Sequence, residues 1–189
     1  MRTVSSGMSL RTSILLATAA VAGAGSVSRP HAEPALVLRR AARDSMAAVF
    51  RGNNRNWDQL ADLNTLEKML GTVRPTQREY LGCLIGRVEG VVVHVERWLP
   101  ARDMKQLPLA VAGSCEGIPG VVGTWHTHPY RADPNNRPVK ERTLSAQDVA
   151  TFRESAWAAT LVMWDGDSID AAARGAGGTV VHPVTVRIE

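Results

Sequence analysis

Apolar residues recur along this chain at two different spacings, and the change from one to the other divides it. From Val37 to Phe50 the stripe Leu38, Ala41, Ala42, Met46, Val49 and Phe50 follows helical spacing, and Arg51-Gly52-Asn53-Asn54 breaks it, so a helix is predicted over 37–50. A second helix is predicted from Trp57 to Leu70, with Leu60, Leu63, Leu66, Met69 and Leu70 as its apolar set and Gly71 as its stop. Both should pack on a sheet. From Glu79 onward the runs shorten to strand length. Tyr80–Gly86 and Val91–Val95 flank the connection Arg87–Gly90 and read as an antiparallel hairpin. A short strand is expected near Leu109–Ala112 and a buried one over Val121–His126. A helix should follow over Ser145–Ser155, then a buried strand over Ala159–Trp164 that turns at Asp165-Gly166-Asp167. Ala171–Gly178 is small and reads as flexible, and Val180–Ile188 reads as one alternating strand, with Pro183 hinting at a sheet edge.

Composition narrows the setting. With 189 residues, 44% of them hydrophobic and 21% charged, the chain suits one globular domain better than two. The net charge of +4 comes without any Lys/Arg block interleaved with aromatics, so nucleic acid is not an expected partner. Residues 1–24 carry only Arg2 and Arg11 as charges, an apolar run and Ala22-Gly23-Ala24. They read as an export signal or as a disordered N-terminal extension, and the apolar run is too short for a stable membrane span. Residues 25–36 hold two prolines and read as a linker, which leaves 37–189 as the domain. Cys83 and Cys115 form no C-x-x-C pair and are either two small buried residues or one disulfide.

Candidate chemistry gathers in Val121–Asp148. On a strand, His126 and His128 project from the same face and Thr127 from the other, and Pro129 ends the ladder. Two such imidazoles can reach one ion, because zinc–nitrogen bonds are only about 2.0–2.1 Å long. Ser145 and Asp148 lie three residues apart at a helix start, where they read as an N-cap pair, and Asp148 is also a candidate third ligand. Two His and one carboxylate leave zinc's fourth position to water, the arrangement of a catalytic site. Such a site also needs a proton-transferring carboxylate and an oxyanion donor, for which Glu79 and Ser145 have the right chemistry. His94, on a valine-rich strand, reads as structural.

Three separated blocks add a resemblance. Glu79-Tyr80-Leu81-Gly82-Cys83-Leu84-Ile85-Gly86 resembles the E-x-x-G-x-L-x-G signature of the JAMM metallopeptidases, also called the JAB or MPN domain family. His126-Thr127-His128-Pro129 followed by Ser145-x-x-Asp148 resembles that family's H-[ST]-H-P…S-x-x-D motif. The likeness covers about Arg74 to Trp164. It implies an α/β fold with a curved mixed β-sheet, flanking helices and a layered architecture like that of cytidine deaminases. It implies Zn2+ held by His126, His128 and Asp148, Glu79 as general acid/base, and Ser145 at the oxyanion. The implied activity is hydrolysis of a peptide or isopeptide bond in a protein or peptide, such as the C-terminal tail of a ubiquitin-like carrier protein. For an exported chain, an envelope peptide is the better expectation. A non-catalytic MPN-type binding module and a zinc-dependent deamidase remain the other readings.

One departure stands out. Sixteen residues separate His128 from Ser145, where the family pattern has about seven. The surplus within Tyr130–Arg142 is polar and reads as a loop at the rim of the site, either contacting substrate or simply solvated. It brings a rival third ligand, Asp133, although Ser145 accompanies Asp148 at the right offset.

Overall fold

In a computed structural model that describes residues 33–55, 78–135, 137–175 and 177–189, the first described element is a strand rather than a helix. Ala35-Leu36-Val37-Leu38 is apolar without interruption and forms β1 (Ala35–Leu38), with Leu36 and Leu38 fully buried. It pairs in parallel with strands on both sides, and strands covered on both faces carry such continuous apolar runs. This corrects two expectations: the linker over 25–36 ends before Ala35, and the helix predicted from Val37 is α1 (Arg40–Asn53). The N-terminal segment 1–24, most of that linker and the predicted helix Trp57–Leu70 lie outside the described residues.

The hairpin is present as β2 (Leu81–Glu89) and β3 (Val92–Pro100), with a tighter connection than expected. Glu89 pairs directly with Val92, and Gly90, at φ +62°, opens the two-residue turn. A second hairpin, β4 (Arg102–Leu107) with β5 (Ala110–Ser114), stands apart as its own two-stranded sheet. Then come β6 (Val121–Thr127), the short strands β7 (Arg131–Ala132) and β8 (Pro138–Val139), α2 (Ala146–Glu154) and β9 (Ala159–Met163). The first half of the stretch expected to be flexible belongs to β10 (Ile169–Arg174), with Ala171, Ala172 and Ala173 buried. The single closing strand is in fact two, β11 (Val181–Pro183) and β12 (Val186–Ile188).

Those last two strands reveal the shape of the sheet. Its order is β11-β10-β9-β6-β2-β3-β1-β12, so two strands only two residues apart in sequence occupy opposite ends. A flat sheet would hold its ends about 34 Å apart, at roughly 4.8 Å per strand spacing. The link from Pro183 to Val186 reaches about 10 Å at most. The sheet must therefore curl, and it does, into a half-barrel of mixed parallel and antiparallel strands with two helices among the described residues.

The two faces of the central strands have different duties. Trp125, Leu161, Met163 and Leu84 point to one face and pack with Leu36, Val93, Val95 and the buried side of α1, namely Ala42, Met46, Ala47 and Phe50. Thr124, His126, His128 and Thr160 point to the other face, into a cleft. Two glycines of the Glu79–Gly86 run have plain steric reasons. A Cβ on Gly82 would lie 2.1 Å from Trp125 Nε1, and one on Gly86 would lie 1.8 Å from the carbonyl oxygen of His94. Cys83 and Cys115 form a disulfide, which fastens the segment after β5 to β2 and resolves the alternatives left open by sequence. No helix among the described residues is long and apolar enough to cross a membrane.

Candidate metal centre

The valine-rich start of β6 favours a strand, and its pairing between β2 and β9 fixes which way each side chain points. The strand is held past its last residue, because the His128 N–H donates to the Met163 carbonyl at 3.0 Å. Both imidazoles are buried, and their Nε2 atoms lie 3.2 Å apart.

Asp148 meets them from the first turn of α2, and a capping box sets that turn. Ser145 Oγ accepts the Asp148 N–H at 3.1 Å, while Asp148 Oδ2 accepts the Ser145 N–H at 2.7 Å. The helix is tied to β10 at both ends. The Leu144 N–H donates to Asp170, and the Arg174 guanidinium donates to the carbonyls of Phe152, Arg153, Ser155 and Trp157 around its C-terminus. So placed, Asp148 sets Oδ1 3.3 Å from His126 Nε2 and Oδ2 3.2 Å from His128 Nε2.

These distances test the donor set against zinc. Two ligand atoms about 2.05 Å from an ion at the tetrahedral angle are about 3.3 Å apart. The nitrogen–nitrogen distance of 3.2 Å matches such an edge, and each imidazole has one Asp148 oxygen close by, Oδ1 at 3.3 Å from His126 and Oδ2 at 3.2 Å from His128. His126, His128 and Asp148 can thus hold one metal ion. Asp133 does not compete: its carboxylate accepts the N–H groups of Asn135 and Arg137 and the Arg137 side chain, away from the histidines. His94 lies outside the cluster and faces Glu89 at 3.4 Å.

Glu79 lines the same cleft, which measures about 960 Å³ and also takes in Ser145. It precedes β2, and its placement depends on residues the motif pattern leaves unexplained. Its N–H donates to the Leu107 carbonyl at 3.2 Å, and its own carbonyl accepts the Gln106 side-chain amide at 2.8 Å. Next to it, the Tyr80 N–H donates to Thr127 Oγ1 at 2.9 Å while the Thr127 N–H donates to the Tyr80 carbonyl at 3.0 Å. Thr127, turned away from the histidines, therefore locks the Glu79 segment to the strand that carries them. Its alternation between two histidines was the available signal. For Gln106, on a hairpin distant in sequence, there was none.

Electrostatics separates the two carboxylates. Burial raises the pKa of Glu79, and the nearby His126 and His128 only partly oppose it. Burial also acts on Asp148, but the His126 and His128 imidazoles against its oxygens outweigh it and hold that carboxyl well below the usual range. For His128, burial is outweighed by Asp148 and by the charge and backbone carbonyl of Glu141, so its pKa is raised. One carboxyl is thus held toward its charged form and the other toward its protonated form. No protein-family model and no curated protein matches the chain.

Proposed function

We propose that this protein is a zinc metallopeptidase of the JAMM type, hydrolysing a peptide or isopeptide bond. The observation that carries the reading is the convergence of His126, His128 and Asp148 within reach of one ion, in one cleft with a buried carboxyl of raised pKa. Two imidazoles and a carboxylate suit zinc, which when bound would polarise the scissile carbonyl and acidify a water. The curled sheet, with α1 on one face and Asp148 on α2 at the other, agrees with the MPN-like and cytidine-deaminase-like layering the motifs imply.

The chain's own groups supply the rest. Glu79 takes the proton of the attacking water and passes it to the leaving amine, for which a pKa above the ordinary carboxylate value is suited. Ser145 Oγ accepts from the Asp148 N–H, so its own hydrogen is free to turn toward the developing oxyanion. The Cys83–Cys115 bridge favours an oxidising compartment, and with it a peptide or protein of the cell envelope over a cytosolic ubiquitin-like tail.

The test is metal content and hydrolysis measured together. Wild type should hold one zinc per chain, and His126→Ala or Asp148→Ala should lose it. A zinc-free wild type would end the reading. A zinc-loaded wild type that cleaves nothing in a broad peptide and isopeptide library would favour a binding module or a deamidase instead.

A further inference from the structure

The polar surplus between His128 and Ser145 is a pinned ribbon. β7 and β8 pair antiparallel, Arg131 opposite Val139 and Ala132 opposite Pro138. At the far end, the Asp133 carboxylate accepts the N–H groups of Asn135 and Arg137 at 2.8 Å each, and the Asp133 N–H donates to the Arg137 carbonyl. At the near end, Arg131 pairs with Glu141 at 2.7 Å. Two groups then fasten the ribbon to the turn after β9: the Tyr130 hydroxyl donates to Asp165 Oδ1 at 2.5 Å, and Lys140 bonds Asp165 Oδ2. The Tyr130 N–H donates to Asn54 at the end of α1, and the Tyr130 ring meets Phe50 edge-on.

This clamping fixes one atom against the metal centre. The backbone carbonyl of Glu141 lies 3.3 Å from His128 Nδ1. A carbonyl can only accept, so in the neutral ring the bond requires the hydrogen on Nδ1 and leaves the lone pair on Nε2. Nε2 is the atom that faces His126 and Asp148. A neutral imidazole in water favours the opposite tautomer, with the hydrogen on Nε2, where it would block an ion.

We propose that the Tyr130–Arg142 insertion is a positioning device for the metal centre, in which the Glu141 carbonyl selects the His128 tautomer that binds metal. The inference rests on the reading of His126, His128 and Asp148 as ligands, and it gives the insertion a role beyond that of a rim loop.

The experiment replaces residues 131–142 with a Gly-Ser linker and, separately, makes Arg131→Ala with Asp165→Ala, which keeps every backbone atom but removes the Arg131–Glu141 pair and both bonds to Asp165. Long-range proton–nitrogen spectra of the metal-free proteins at alkaline pH report the His128 tautomer, and chelator competition reports zinc affinity. Asp148 lies 3.2 Å from Nε2 and favours a hydrogen there with or without the ribbon, so the ribbon is read from the difference, and wild type should show more Nδ1–H than the variants. The linker variant should show more Nε2–H and bind zinc about 10- to 100-fold more weakly, the usual loss of an outer hydrogen-bond partner. The double variant should shift the same way to a smaller extent, and it decides the matter if the linker variant does not fold. Wild-type tautomer and zinc affinity in a folded variant lacking the ribbon would overturn the proposal. A wild type that binds no zinc would end the metal reading instead, while the tautomer comparison would still judge the ribbon.

Discussion

Removing the Cys83–Cys115 bridge, by Cys83→Ala with Cys115→Ala, should cost this fold a large share of its stability. The bridge closes a loop of 32 residues. Chain-entropy reasoning gives the unfolded state about 12 cal/mol/K more freedom once such a loop is opened, or about 3.7 kcal/mol at 25 °C. Against a typical domain stability of about 5–15 kcal/mol, that is a quarter or more of the whole. For a domain of this size it corresponds to a fall in Tm of about 7–15 °C. Urea unfolding of the variant and of wild type, with and without reductant, measures the cost directly. Thiol alkylation and mass spectrometry of the denatured proteins count free cysteines. The site should feel the loss as well. The bridge holds the segment after β5 to β2, and the partner strand β4 supplies the Gln106 and Leu107 bonds that place Glu79. Equal stabilities for variant, reduced and oxidised protein, to within about 0.5 kcal/mol, would refute the reasoning.

Three further outcomes are expected. Thr127→Val keeps the shape of a fully buried side chain but leaves the Tyr80 N–H without its acceptor. It should cost about 1–3 kcal/mol in denaturant unfolding and lower kcat more than zinc affinity. Arg174→Met strips the donors from the C-terminal carbonyls of α2. It should destabilise by about 1.5–3 kcal/mol and also weaken zinc binding, measured by chelator competition, because Asp148 rides on that helix. Glu79→Gln should stabilise the metal-free protein, and only at higher pH. A folded-state pKa raised above 4.5 means that the fold favours the protonated form, so wild type loses stability as pH rises through the raised value. The variant escapes that loss, and unfolding curves should separate above that value and converge below 4.5.

Much of this architecture was legible because long apolar runs end at clear punctuation. The β2–β3 hairpin, β6, α2 and β9 all lie where the pattern put them. The readings that needed correction share a cause: short elements whose neighbours decide their state. Ala35–Leu38 is too brief for periodicity to separate strand from helix, and parallel partners on both sides settle it. Ile169–Arg174 is rich in alanine, a poor strand former, yet its alanines fit a crowded place between β9 and β11. Val181–Ile188 alternates as one strand would, and only closure of the sheet divides it between the two edges.

The candidate site divides in a similar way. His126, His128 and Asp148 could be chosen from sequence because their spacing and residue types carry chemistry, and Glu79 because the run it opens resembles the E-x-x-G-x-L-x-G signature. The groups that hold them could not. Gln106 acts from a distant hairpin, Thr127 through the face turned away, and Glu141 through a backbone carbonyl that any residue would provide.

The central claim is that Glu79 moves protons beside a zinc held by His126, His128 and Asp148. Purified wild type and Glu79→Gln, each assayed for bound zinc and for amide hydrolysis on one substrate, test it most directly. The account predicts equal zinc, near one per chain, and hydrolysis lowered by about 10²- to 10⁴-fold in the variant. Full hydrolysis by zinc-loaded Glu79→Gln would contradict it.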